Sequence, residues 1–339
     1  MLNKFILISI LIFSTNLFSC QKEIEEMTNF AYSKLIPAHF PKAISSLDSI
    51  PTEAQFELGK RLFFERRLSR DGSISCASCH KPSLAFADTS RISPGVEGRF
   101  GKRNSPSLAN VVYQKKLLKE GGLPTLEMQV LVPIQEHDEF DNNILEIAKL
   151  LKAIPEYNYL SQKAYGREID PFVITRAISA FERSIFSGTS RFDKYLNGSI
   201  SLTSLEIQGL NLFMSAKTNC NSCHSGFLFT NQQIENNGLY NEYKDSGAMR
   251  LTLDPADEGK FKIPSLRNIA ITYPYMHDGS LKSLSDVINH YNGGGKNHKN
   301  KNELIKPLGL TQNDKLALLA FLHTLTDDSF LNNKIYKSE

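Results

Sequence analysis

Two five-residue stretches carry the residue types that covalent cofactor chemistry needs. Residues 76–80 read Cys-Ala-Ser-Cys-His, and residues 220–224, which begin 144 positions later, read Cys-Asn-Ser-Cys-His. Two thiols three positions apart can each form a thioether with a haem vinyl group, and the adjacent histidine can then ligate the iron. The repeated pattern is therefore typical of two attachment sites for c-type haem.

A structural zinc site is the alternative explanation, because paired C-x-x-C motifs also bind zinc. Zinc-binding pairs usually lie ~12–20 residues apart, however, and zinc gives no reason for a histidine directly after both pairs. We therefore predict two covalently bound haem c groups. The predicted attachment residues are Cys76, Cys79, Cys220 and Cys223, and the predicted iron ligands are His80 and His224.

A predicted helix precedes each of these motifs. Thr52-x-x-Gln55 and Thr203-x-x-Glu206 have the form of capping boxes, and apolar residues follow both with helical spacing. The two helices also match each other at a constant offset of 150 positions. The matched pairs are Gly59 with Gly209, Leu62 with Leu212 and Phe63 with Phe213.

A second repeated block follows each motif. Residues 106–110 read Pro-Ser-Leu-Ala-Asn and residues 264–268 read Pro-Ser-Leu-Arg-Asn, an offset of 158 that also aligns Glu120-Gly121 with Asp278-Gly279. Matching blocks in one order around two copies of C-x-x-C-H indicate an internal duplication. The larger offset places net insertions in the second copy, and we expect them near residues 236–259.

The remaining pattern is helical, without alternation of period two over the length of a strand. We predict an all-α fold with two cytochrome c-like domains, each binding one covalent haem c. The predicted divisions are a signal peptide at 1–19, a tether and N-terminal segment at 20–50, an N-terminal cytochrome c-like domain at 51–190 and a C-terminal cytochrome c-like domain at 191–339.

The N-terminus has the features of a bacterial targeting segment. Lys4 precedes the apolar run Phe5–Ile12, and residues 17–20 read Leu-Phe-Ser-Cys, which resembles a lipobox with lipid on Cys20. An ordinary secretory signal is the alternative. We expect a protein on the periplasmic side or outer membrane of a bacterium, anchored by lipid. A net charge of +3 over 339 residues gives no argument for nucleic acid as a partner.

From about Pro51 to Leu325 the chain resembles the bacterial di-haem cytochrome c peroxidases, including their MauG-like branch. The resemblance implies that hydrogen peroxide is cleaved at the N-terminal haem. It also implies that the C-terminal haem receives electrons from a small donor protein such as a cytochrome c or a cupredoxin. Family members often form homodimers. The motifs that carry the resemblance, besides C-x-x-C-H, are Arg103–Pro106, Phe181–Arg183, Phe261–Asn268 and Pro274–Gly279.

The resemblance also implies site residues. Gln129 and Glu139 match the family's peroxide-cleaving glutamine and glutamate, and a carboxylate there can carry a proton between the two peroxide oxygens. Asn104 and the backbone carbonyls of Thr272 and Pro274 match the ligands of a calcium ion between the domains. Oxygen donors of this kind suit a hard cation.

The sequence departs from the family pattern at the iron sites. Val96 stands where a removable distal histidine is found in many relatives, so we expect an open sixth position on the N-terminal iron. Tyr291 stands where many relatives have a methionine ligand on the second iron, as in MauG-like members. Met276 is the alternative ligand, and His290 is a further rival.

A third departure lies between the predicted haems. The chain contains no tryptophan, and Lys119 stands where the family has one. Electrons then pass directly between the haems or by another route, for which Tyr113 is a candidate. The expected function is reduction of hydrogen peroxide to water by an external donor. The alternatives are a MauG-type peroxide-dependent oxidase of a partner protein and a non-catalytic di-haem electron carrier.

Overall fold

The computed structural model describes residues 32–43 and 50–338. The predicted signal peptide and the lipid site at Cys20 lie outside the described residues. Helices account for nearly all of the regular structure, which confirms a mainly helical fold. Residues 32–35 are helical, and the α-helices that follow are α1 (Glu53–Phe63), α2 (Cys76–Cys79), α3 (Leu126–Gln135), α4 (Ile144–Lys152), α5 (Pro155–Tyr165), α6 (Pro171–Arg183), α7 (Arg191–Leu196), α8 (Ser204–Met214), α9 (Cys220–Cys223), α10 (Met249–Thr252), α11 (Leu284–Asn292), α12 (Gln312–His323) and α13 (Asp328–Leu331).

The exception to the helical pattern is a short antiparallel ribbon. Strand β1 (Ile234–Glu235) pairs with β2 (Phe261–Lys262), with Ile234 opposite Lys262 and Glu235 opposite Phe261. Two residues per strand are too few to show alternation in a sequence, which explains why the pattern predicted no strand. Short 3₁₀ turns complete the regular structure at Arg66–Leu68, Pro82–Leu84, Val96–Gly98, Val111–Tyr113, Pro255–Asp257 and Lys334–Tyr336.

Both predicted capping boxes are present. The Thr52 hydroxyl accepts from the N–H of Gln55 at 3.3 Å, and the Gln55 side chain accepts from the N–H of Thr52 at 3.0 Å. Thr203 and Glu206 make the same reciprocal pair at the start of α8. Each box satisfies N–H groups that have no partner within the helix, so it fixes the residue at which the helix begins.

A matched pair of helix crossings forms the centre of the fold. Helix α1 crosses α6 at Gly59, where an added Cβ would lie 1.9 Å from the carbonyl oxygen of Ala177. Helix α8 crosses α12 at Gly209, where an added Cβ would lie 1.9 Å from the carbonyl oxygen of Ala317. Both crossings therefore require glycine, because any side chain would push the two helices apart.

Three phenylalanine rings pack together at each crossing, in equivalent arrangements. In the first, the ring centroids of Phe63 and Phe181 lie 5.0 Å apart, and Phe86 lies 5.8 Å from Phe63. In the second, Phe213 and Phe321 lie 5.1 Å apart, and Phe229 lies 6.0 Å from Phe213. These triads are the centres of two separate hydrophobic cores. The duplication seen in the sequence is thus also present in the packing.

The C-terminal segment returns to the first core. Phe330 and Tyr336 are buried among its residues, and the Tyr336 hydroxyl donates to the carbonyl of Ser184 at 2.7 Å while accepting from the N–H of Phe186 at 3.2 Å. Residues 330–336 therefore pack against the first copy, although their position in the sequence assigned them to the second. Across the described residues, no helix is both long and apolar enough to cross a membrane.

Candidate haem-binding cavity

Both C-x-x-C-H motifs open onto one continuous cavity of about 760 Å³. The motif residues form short helices, α2 and α9, which end at Cys79 and Cys223 and are directly followed by the predicted iron ligands His80 and His224. Besides these residues, the wall includes most of the predicted site. The motif residues on the wall are Cys76, Cys79, His80, Cys220, Cys223 and His224, and the other predicted residues on it are Asn104, Lys119, Gln129, Glu139, Thr272, Pro274, Met276 and Tyr291.

The two histidines are held in the same orientation. His80 Nδ1 lies 2.9 Å from the carbonyl oxygen of Phe86, and His224 Nδ1 lies 3.0 Å from that of Phe229. Because a carbonyl can only accept, Nδ1 carries the proton and the Nε2 lone pair is left for a metal. Burial also lowers the pKa of both imidazoles, which favours the neutral form that ligates iron. These residues fit covalently bound haem c.

The repeated Pro-Ser-Leu blocks support the loops that provide those carbonyls. The Ser107 hydroxyl donates to the carbonyl of Ala85 at 2.6 Å, and the Ser265 hydroxyl donates to the carbonyl of Leu228, also at 2.6 Å. Each accepting residue directly precedes Phe86 or Phe229, both of which have a positive φ. The block after each motif thus holds the turn that orients the ligand histidine.

The structure brings Gln129 and Glu139 to the wall near the first motif. Gln129 lies on α3, and Glu139 follows the end of that helix at Gln135. Burial, together with the negative charges of Glu136 and Asp138, raises the pKa of Glu139 to about 7. A carboxyl group with this pKa can both accept and release a proton near neutral pH.

The loop that replaces the distal histidine packs behind this carboxylate. Val96 is fully buried, its N–H donates to the carbonyl of Glu139 at 2.9 Å, and its side chain does not form part of the cavity wall. An added Cβ at Gly95 would lie 2.1 Å from the carbonyl oxygen of Asp138. The close approach fixes the backbone of Glu139, and Val96 places no iron ligand in the cavity.

Near the second motif, Tyr291 and Met276 both line the cavity beside Asn237. Burial raises the pKa of the Tyr291 hydroxyl to about 12, while a hydrogen bond from the Asn237 side chain opposes this rise. The Asn237 amide also lies 3.2 Å from the Met276 sulfur. His290 Nε2 lies 3.0 Å from the carbonyl oxygen of Asn237 and does not line the cavity, so its ring is engaged elsewhere.

The three predicted calcium residues all line the cavity. Asn104 is buried, and its side-chain N–H group donates to the carbonyls of Ser90 and Arg91 at 3.2 and 3.3 Å. Its side-chain oxygen is therefore directed away from those two carbonyls. Thr272 and Pro274 line the same cavity. An amide oxygen and nearby carbonyls provide the hard donors that Ca²⁺ prefers.

Lys119 also lines the cavity, and Tyr113 does not. Burial, together with the positive charge of Arg103, lowers the pKa of Lys119 to about 8. Tyr113 packs against Phe40 and Phe227 and donates to the carbonyl of Pro41 at 2.8 Å. Its position gives no support to the predicted electron route through this tyrosine.

Glu182 lines the cavity and lies in the motif Phe181–Arg183, to which the sequence analysis assigned no role in the site. Only 5% of it is exposed, one carboxylate oxygen has no hydrogen-bond partner in the described structure, and burial raises its pKa to about 8. The signal that could have found it is its place inside the apolar helix α6, where a carboxylate is costly. Asn237 gave no such signal, since its role depends on contacts between distant segments.

Two covalent attachment sites with oriented histidines in a duplicated helical fold define a di-haem c-type cytochrome. A sequence model of the di-haem cytochrome c peroxidase family matches residues 53–201. The cytochrome-c peroxidase IdrP1 of Denitromonas iodatirespirans is 33% identical over 314 residues, covering 82% of this chain and 83% of the relative. The methylamine utilization protein MauG of Methylorubrum extorquens is 34% identical, covering 81% and 78%. The chain belongs to the di-haem cytochrome c peroxidase family.

Solved structures agree with this assignment. The crystal structure of a MauG-like protein associated with microbial copper homeostasis matches with a TM-score of 0.85 and 35% identity, covering 89% of this chain and 97% of that one. The di-haem peroxidase BthA of Burkholderia thailandensis matches with a TM-score of 0.71 and 26% identity, covering 86% and 90%. The protein is thus a peroxidase-type oxidoreductase with covalently bound haem c, from a family that is typically periplasmic.

Proposed function

We propose that this protein reduces hydrogen peroxide to two molecules of water, using two protons from solvent and two electrons from an external donor such as a small cytochrome c. The observation that carries the proposal is Glu139, a carboxyl group with a pKa of about 7 on the wall of the cavity that also holds the first haem motif. Peroxide reduction needs proton transfer at neutral pH, and this group is placed to provide it.

The cavity has the residues to hold both cofactors. Cys76 and Cys79 attach the first haem c, and His80 ligates its iron. Cys220, Cys223 and His224 do the same for the second. When bound, haem c supplies an iron that exchanges electrons with peroxide and with the donor. The hydrogen bonds to Phe86 and Phe229 keep both imidazoles in the ligating tautomer.

Glu139 acts as the proton carrier. Its carboxylate takes a proton from one oxygen of bound peroxide and returns it to the other oxygen, which leaves as the first water when the O–O bond breaks. The remaining oxygen takes up two protons from solvent and the two donor electrons and leaves as the second water. Gln129 cannot titrate, and its amide orients the peroxide by hydrogen bonding. The buried Val96 leaves this side of the first haem open, so peroxide can enter without displacement of a protein ligand.

Tyr291 is the proposed sixth ligand of the second iron, with Met276 as the alternative. A phenolate favours ferric iron relative to a thioether, so the tyrosine gives a lower reduction potential. Tyr291 lines the cavity, and the Asn237 side chain lowers the pKa of its hydroxyl against the larger effect of burial, which raises that pKa to about 12.

The remaining assignments follow from the duplication and the resemblance. A calcium ion binds at Asn104 and the carbonyls of Thr272 and Pro274. The N-terminal domain at 51–190 is peroxidatic, and the C-terminal domain at 191–339 transfers electrons. Lipid on Cys20 anchors the protein at a membrane on the periplasmic side. A homodimer is the form found in many relatives.

A MauG-type oxidase is the second candidate, in which peroxide drives the oxidation of residues on a partner protein. The observations that favour it are Tyr291 on the cavity wall and the similarity to a MauG-like protein associated with microbial copper homeostasis. A non-catalytic electron carrier is the third candidate, and Lys119 in place of an oxidisable indole favours it.

A substitution at Glu139 tests the proposed proton transfer. We expect Glu139→Gln to slow the reaction with peroxide by about 10²–10⁴-fold, because the amide cannot accept a proton. The wild-type rate constant should rise with pH through about 7, where the carboxylate form appears, and level off above it. The variant should lose this inflection.

Stopped-flow absorbance on the haem-loaded protein measures both quantities, and the haem content checks that both cofactors remain attached. Glu57→Gln removes an exposed carboxylate on α1 and serves as the matched control. A Glu139→Gln variant that reacts as fast as this control would refute the catalytic role.

A further inference from the structure

Equivalent residues of the two copies meet across the interface between them. At the offset of 158, Asn104 corresponds to Lys262 and Lys119 corresponds to His277. The N–H of Asn104 donates to the carbonyl of His277 at 2.9 Å, and the N–H of Lys262 donates to the carbonyl of Lys119 at 2.6 Å. Exchanging the two copies converts the first hydrogen bond into the second, as in an interface with local two-fold symmetry.

The proposed calcium residues also have counterparts at the equivalent positions of the other copy. Asn104, Thr272 and Pro274 correspond to Lys262, Gln114 and Lys116. In the structure, the Lys262 ammonium donates to the carbonyl of Lys116 at 2.8 Å and also to the side-chain oxygen of Gln114. The Lys116 carbonyl is the direct counterpart of the Pro274 carbonyl, whereas Gln114 contributes its side chain instead of its backbone.

We propose that the chain has a second cation site, related to the proposed calcium site by the duplication, in which the Lys262 ammonium takes the place of a metal ion. The comparison with a metal site rests on the proposed calcium site at Asn104, but the contacts of Lys262 are independent of it. Amide and carbonyl oxygens suit either occupant, because they accept hydrogen bonds from an ammonium group and also ligate hard cations.

The surroundings of Lys262 suit a cation held by protein oxygens. Burial, together with the positive charge of Lys119, lowers the pKa of Lys262 to about 8, so the ammonium depends on the oxygens of Gln114 and Lys116 for compensation. Its bonds hold residues 114–116, and the Lys262 N–H holds Lys119, which lines the cavity. This half of the interface is therefore fixed by a covalently attached cation that chelators cannot remove.

The first test replaces the attached cation by the residue type found at the equivalent position. Lys262→Asn removes the ammonium and supplies an amide oxygen, as Asn104 does in the other copy. Calcium bound per haem-loaded chain is measured by elemental analysis after dialysis against a calcium buffer. We expect the variant to hold one more calcium ion per chain than the wild type, and equal contents would overturn the proposal. If the wild type holds none and the variant holds one, the calcium assignment at Asn104 fails and the Lys262 site stands.

The second test needs no calcium. In the presence of a chelator, Lys262→Met should unfold about 3–6 °C below the wild type, because the oxygens of Gln114 and Lys116 lose the ammonium that joins them to the second copy. Lys262→Arg keeps a cation at the site and should unfold within about 1 °C of the wild type. Lys115→Met, which removes a neighbouring exposed lysine, is the matched control. If Lys262→Met unfolds at the same temperature as this control, the proposed cation site is contradicted.

Discussion

At the scale of single residues, the second haem site depends on one amide. The Asn237 side chain contacts the sulfur of Met276 and hydrogen-bonds to Tyr291, the two candidates for the sixth iron ligand. The backbone carbonyl oxygen of Asn237 also lies 3.0 Å from Nε2 of His290, a histidine that does not line the cavity. Asn237 therefore lies beside both candidates, and it lowers the pKa of Tyr291 against the larger effect of burial.

A pair of substitutions identifies the ligand. We expect Tyr291→Phe to change the absorption and electron paramagnetic resonance spectra of one haem and to raise its reduction potential, since the loss of a phenolate favours ferrous iron. Met276→Leu is the matched control and should leave both spectra unchanged. The reverse result, a change with Met276→Leu and none with Tyr291→Phe, would make the methionine the ligand.

The sequence indicated the residues whose chemistry depends on local spacing. Thioether attachment fixes Cys76, Cys79 and His80 within five positions, so the motif alone is informative. The carbonyl of Phe86 that orients His80, and the amide of Asn237, act through turns and contacts between distant segments. No spacing rule describes such contacts, which is why these two residues were not found from the sequence.

At the scale of elements, each copy depends on one close helix crossing. The capping boxes predicted where α1 and α8 begin, and the matching glycines predicted that these helices are equivalent. Their partners α6 and α12 were not predictable, because a glycine at a contact does not show which helix it contacts. The structure supplies the reason for the glycines, namely the carbonyls of Ala177 and Ala317.

Alanine at either crossing should be destabilising. We expect Gly59→Ala and Gly209→Ala each to lower the free energy of unfolding by about 1–3 kcal/mol, because the Cβ would overlap a backbone carbonyl and force the helices apart. Gly293→Ala is the control, since its Cβ would make ordinary contacts of 3.5 and 3.6 Å. Chemical denaturation of the haem-loaded protein measures all three. If the two variants lose no more unfolding free energy than the control, the helix crossings are not as close as described.

At the scale of the whole molecule, two equivalent halves serve one cavity with unequal residues. Glu139 lines it near the first motif, and Tyr291 and Met276 line it near the second. Lys119 and its counterpart His277 line it as well, and the His277 ring stacks on Phe261 at 4.0 Å. The duplication predicted the two halves, whereas the single cavity follows from the packing of one copy against the other.

The most direct test of this account is steady-state turnover of hydrogen peroxide by the haem-loaded protein, measured with and without a reduced small cytochrome c. The account predicts catalytic peroxide consumption with the cytochrome, two cytochromes oxidised per peroxide, and at most a single turnover without it. A single turnover that the cytochrome does not extend would favour the MauG-type oxidase. Failure to consume any peroxide in either condition would contradict the account.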